Sequence, residues 1–193
     1  MVERLCDEAI LAALEGSVRR GARDGEAENV ITAGGNATDA LAFIAKRCPA
    51  ELVERLCDEA MLTALGTSVQ RGTRDGATKD MIIIGGNAAV AIGELASRRP
   101  DGIVERLCDE AMLTALGASV QRGARNGATE NMIAAGSNAA GALRDLAERC
   151  PDGMVERLCD AAILTALGAS VQRGARDGAA ENVITAGGNA TDA

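Results

Sequence analysis

The string VERLCD begins at Val2, Val53, Val104 and Val155, a strict interval of 51 residues. Self-similarity at such an interval is the mark of an array in which each unit must stack on its neighbours, because one unit alone cannot bury its apolar face. The chain therefore reads as a single repeat array with units 2–52, 53–103, 104–154 and 155–193, the last one truncated. Units one and four are near copies: AENVITAGGNATDA stands at both 27–40 and 180–193. Recent duplication and deliberate construction account for that likeness equally.

The period inside a unit is helical. In unit two, Leu52, Val53, Leu56, Cys57, Ala60, Met61, Ala64, Leu65 and Val69 fall at i, i+3, i+4 and i+7, one broad face of a helix. Pro49 stands before Ala50 and Glu51, the order expected where a helix opens on proline and an acidic first turn. The run ends near Gly72, in the polar stretch from Gln70 to Gly76. A second helical stretch, from Thr78 to Arg99, is interrupted by Gly85-Gly86. It is either one kinked helix or two helices meeting at the glycines, with Asn87 an N-cap in the second case. No segment alternates in the manner of a strand. The expected class is all-α: a right-handed α-solenoid of stacked two- or three-helix units.

Composition removes several functions. The chain has no His, Trp or Tyr, a single aromatic residue, Phe43, and a net charge of −8. Without histidine there is no Ser-His or Cys-His nucleophile and no imidazole metal ligand. One aromatic residue builds no platform for stacking bases, and an acidic chain is ill suited to the phosphate backbone. No catalytic residue, cofactor or metal is expected, and nucleic acid is not an expected partner. The N-terminus MVERLCDEAI lacks the basic and apolar regions of a signal peptide, and no uninterrupted apolar run of spanning length occurs. A cytoplasmic, reducing location without membrane contact is expected.

The runs NATDALAFIA from Asn36, NAAVAIGELA from Asn87 and NAAGALRDLA from Asn138 resemble the third helix of an armadillo repeat. PDGIVERLCDEA from Pro100 then resembles the short first helix, and MLTALGASV from Met112 the second. Every unit carries the pattern, down to the truncated NATDA at Asn189; HEAT repeats are the neighbouring likeness. The resemblance implies an armadillo-like fold and a role in binding or scaffolding a protein or peptide. The family's peptide-binding members use an asparagine ladder on the third helix, often beside tryptophan. The matching positions here hold Phe43, Glu94 and Asp145, so that particular grip does not carry over.

In an array every periodic residue forms a ladder. Cys6, Cys57, Cys108 and Cys159 fall within the apolar face and read as small buried hydrophobes. Cys48 and Cys150 stand before prolines, nine residues ahead of Cys57 and Cys159, where a Cys48–Cys57 bridge is the alternative to free thiols. Arg20, Arg23, Arg71, Arg74, Arg122, Arg125, Arg173 and Arg176 form a basic series assigned to the loop after the second helix. They either receive carboxylates or phosphates from a partner or cap helix ends and offset nearby aspartates. Asn36, Asn87, Asn138 and Asn189 either bind a partner's backbone or cap helices. Glu54, Asp58 and Glu59, with Arg55 between them, read as a paired, solvated helix face.

The chain opens inside the repeat and stops partway through a unit, so apolar faces at both ends are expected to self-associate or to meet further units. Two functions follow as expectations: a non-enzymatic, protein-binding scaffold, and a structural repeat protein assembling end to end into oligomers or filaments.

Overall fold

The computed structural model describes residues 8–47, 49, 57–98, 102–151, 154–175 and 189. The described residues are helical and include no strand. Unit one contributes α1 (Glu8–Gly21) and α2 (Glu28–Arg47), and unit two α3 (Glu59–Thr73) and α4 (Lys79–Ser97). Unit three contributes the short α5 (Ile103–Leu107), α6 (Glu110–Ala124) and α7 (Glu130–Ala147). From unit four come α8 (Val155–Leu158) and α9 (Ala161–Gly174).

The apolar face that reads as one helix is divided. In unit three, α5 ends at Cys108 and α6 begins after Asp109, whose carboxylate accepts from the Ala111 amide at 3.2 Å. Asp58 and Asp160 cap α3 and α9 in the same way, accepting from Met61 at 2.6 Å and Ala162 at 2.7 Å. Such a cap contributes about 1 kcal/mol, and it marks where the first run stops and a fresh helix starts. Asp58 is thus a cap, which corrects its assignment to a paired helix face. The predicted helix start after Pro49 lies outside the described residues.

The glycine pair divides nothing. α4 runs through Gly85-Gly86 from its cap at Thr78 to Ser97, and α7 runs likewise from Thr129. The reason is packing. A Cβ on Gly72 would lie 2.9 Å from the Met81 carbonyl oxygen and 3.4 Å from the Gly85 Cα. On Gly123 it would lie 2.8 Å from the Met132 carbonyl oxygen and 3.1 Å from the Gly136 Cα, and on Gly21 2.6 Å from the Gly34 Cα. In units one to three the two long helices cross backbone against backbone, and the helix propensity lost at glycine is offset by that approach. Asn36, Asn87 and Asn138 therefore sit inside helices, and the capping role assigned to them is overturned. The turn between the long helices is made by Gly25, Gly76 and Gly127, all near φ +80°, a region open to glycine at little cost.

The helices pack in two series. α1 with α2, α3 with α4 and α6 with α7 form the pairs within units. Between units, α2, α4 and α7 pack one on the next, and so do α1, α3, α6 and α9. The core follows this plan: Leu41, Leu65, Ile92, Leu95, Leu107, Leu116 and Leu146 are fully buried, with Ala88, Ala89, Ala139 and Ala140 letting α4 and α7 approach closely. Among the described residues, α4 alone is long and apolar enough to cross a membrane. Its Ile82, Ile84, Ile92 and Leu95 are buried, and the helix packs against α2, α3 and α7.

Candidate functional site

Four of the eight ladder arginines, Arg71, Arg74, Arg122 and Arg173, bond within the protein. Arg71, Arg122 and Arg173 lie in the last turns of α3, α6 and α9, and Arg20 in that of α1, so half of the ladder is helical where a loop was expected. Arg71 is buried; its Nη1 donates to the Gly21 carbonyl at 2.7 Å and its Nε lies 3.3 Å from Asp24. Arg122 donates to the Arg74 carbonyl. Arg173 donates to the Gly123 carbonyl at 2.5 Å and to the Arg125 carbonyl. Each guanidinium thus neutralises carbonyls left open at the helix end of the preceding unit, where the macrodipole also favours a cation. Arg74 pairs with Asp24 at 2.9 Å. Arg20, Arg23 and Arg125 are exposed, and Arg176 lies outside the described residues.

Two of the four asparagines bond within the protein. Asn138 donates from Nδ2 to the Gly86 carbonyl at 3.3 Å, joining α7 to α4. Asn189 donates to the Ser137 carbonyl at 3.3 Å and hydroxyl at 2.8 Å. Asn87 is half-buried and Asn36 exposed. Further along the same helices, Glu94 pairs with Lys46 at 3.4 Å, and Asp145 with its neighbour Arg144 at 3.0 Å. Phe43 is exposed beneath the Arg47 guanidinium, 4.6 Å from the ring centroid.

Open grooves also lie between consecutive units. The first groove, about 560 Å³, lies between α3 and the α5–α6 junction and is lined by Glu59, Thr63, Gln70, Arg106, Asp109 and Met112. The second, about 820 Å³, is lined by Glu110, Thr114, Gln121, Arg157, Asp160 and Ile163. Each of these six residues of the second stands 51 positions after its counterpart in the first. The floors correspond too. A Cβ on Gly66 would lie 3.3 Å from the Met112 Cε, and one on Gly117 3.3 Å from the Ile163 Cγ1. Glycine on one helix therefore seats the side chain rising from the next. Five carboxylates, those of Glu59, Asp109, Glu110, Glu156 and Asp160, face two guanidiniums, Arg106 and Arg157.

No protein-family model, curated protein or solved structure matches the chain. The groove therefore stands on its own geometry. Sequence reasoning missed it because every residue of a near-perfect repeat recurs, and recurrence does not distinguish a wall from a floor. The one usable signal was Gly66 and Gly117 in mid-helix, where glycine costs about 1 kcal/mol relative to alanine and so points to a close approach.

Among the described residues, no group of three or more Cys, Asp or Glu side chains is placed to hold a metal ion. Cys57, Cys108, Cys150 and Cys159 form no disulfide. Cys48 and Cys6 lie outside the described residues. The Cys108 thiol donates to the Cys150 Sγ at 3.9 Å. Burial raises the pKa of Cys108 from 9.0 to about 12, helped by the charge and thiol contact of Cys150 and opposed by Arg157. The folded chain thus holds this thiol neutral where the unfolded chain ionises it. That contribution to stability is complete below pH 9 and lost as pH rises from 9 toward 12. In the reduced chain the urea midpoint is expected to fall through that window. In Cys108→Ala the midpoint should fall less steeply over the same window; equal slopes would remove Cys108 as the cause.

Proposed function

We propose that the chain is a non-enzymatic scaffold, an armadillo-like right-handed α-solenoid, that binds an extended basic peptide across the grooves between its units. One observation carries the reading: two grooves of equivalent lining, offset by one repeat, with carboxylates in excess. Opposite charge would steer a Lys- or Arg-bearing partner to them. Packed helices lie roughly 8–10 Å apart and an extended chain rises about 3.3 Å per residue. A peptide lying along the array therefore meets one groove with about every third residue.

The test is fluorescence anisotropy with a labelled peptide bearing arginine at every third position, beside a scrambled peptide of equal composition. Saturable binding is expected for the first and at least about tenfold weaker binding for the second, a difference of about 1.4 kcal/mol. The double reversal Glu59→Lys with Glu110→Lys should weaken the spaced peptide by a similar factor. Equal affinity for both peptides would reduce the interaction to bulk charge and reject the reading.

End-to-end assembly is the second reading. Ile10 and Leu164 are 41% and 52% exposed, whereas their equivalents Met61 and Leu113 are 1% and 2% exposed. Sedimentation of the peptide-free chain distinguishes the two: mass that climbs with concentration favours assembly.

A further inference from the structure

The sulfurs of Cys108 and Cys150 face each other at 3.9 Å, although 42 residues separate them. Cys108 caps the C-terminus of α5 at the α5–α6 junction and is fully buried. Cys150 follows the end of α7, is half-buried, and packs against the core. One thiol is therefore partly open to solvent, and the other is enclosed beside it. The sequence repeats the arrangement: Cys6 and Cys48 are also 42 residues apart, whereas unit two has Arg99 at the second position.

We propose that Cys108 and Cys150 form a reversible thiol–disulfide site, oxidised by a small-molecule disulfide such as oxidised glutathione, that locks the end of α7 to the α5–α6 junction. Neither thiol is used by the groove, so the site stands independently of peptide binding. The steps balance without a further oxidant. The Cys150 thiolate attacks one sulfur of oxidised glutathione, forming a mixed disulfide and expelling a glutathione thiolate. Cys108 attacks the Cys150 sulfur and its proton passes to the departing glutathione sulfur, closing the protein disulfide and releasing the second glutathione. Two protein thiols and one glutathione disulfide become one protein disulfide and two glutathione thiols. Burial explains the order of attack: the enclosed Cys108 resolves the adduct and does not initiate it.

The experiment treats the reduced full chain with oxidised glutathione, blocks the remaining thiols, and maps non-reduced tryptic peptides by mass spectrometry. Cys108 falls in peptide 107–122 and Cys150 in peptide 150–157, both distinct from the peptides of the other cysteines. The expected result is a linked 107–122/150–157 pair, about 2 Da lighter than the two thiol peptides together. Its amount should grow as a transient glutathione adduct on Cys150 decays. In Cys150→Ala, whose fold is checked by circular dichroism, Cys108 should remain unmodified. A stable adduct on Cys150 with Cys108 still alkylated after unfolding would overturn the proposal. So would a link from Cys150 to Cys159, or glutathione on Cys108 in Cys150→Ala.

Discussion

Gly123→Ala is expected to destabilise the chain by about 2–3 kcal/mol, near the upper end of the usual cost of overpacking. The added methyl would meet the Met132 carbonyl oxygen at 2.8 Å and the Gly136 Cα at 3.1 Å. Both are backbone atoms, so relief requires moving α6 away from α7, and with it the packing of Leu116 and Leu143. Gly141→Ala supplies the contrast within the same unit. Gly141 lies in the interior of α7 with nothing within 4 Å of an added Cβ, so alanine there should stabilise by roughly 0.5–1 kcal/mol through helix propensity alone. Urea midpoints at unchanged m-value measure both. Equal shifts of the two variants would mean that the crossing is not held by glycine.

Arg71→Met comes next in size, at about 2–3 kcal/mol. It leaves the Gly21 carbonyl without its charged donor in a place where Arg71 excludes water, and a charge-assisted hydrogen bond of this kind contributes about 1.5–3 kcal/mol. Arg74→Met should cost less than about 1 kcal/mol, since the Arg74 side chain is 49% exposed and its partner Asp24 67% exposed. Because the Arg71 bond joins units, its loss should also broaden the urea transition, as expected when neighbouring units of an array uncouple. A narrow transition with equal costs at the two positions would show that Arg71 is a surface cation in effect as well as in sequence.

These two residues show what the sequence carries and what it omits. Helical class and repeat length are legible because they depend on neighbours a few residues apart: Leu62 with Leu65 and Val69, or Asp109 with Ala111. The partner of Gly72 is Gly85, on the other helix of its unit, and the acceptor of Arg71 is Gly21, one unit earlier. Neither pairing leaves a local signature. A mid-helix glycine therefore looks like a breaker, and an arginine beside a turn looks like a solvated cation. Asn138 illustrates the same limit: asparagine followed by an apolar run looks like an N-cap, yet eight residues of α7 precede it. The groove was the least legible feature, because it exists only between units.

The glycine crossings fix more than stability. Where main chain rests on main chain, the distance between the two long helices of a unit does not depend on which side chains they carry. Thr67 becomes Ala118 from unit two to unit three while the crossing recurs, Gly72 against Gly85 and Gly123 against Gly136. Residues away from the crossing are therefore free to vary without loosening the joint that holds each helix pair.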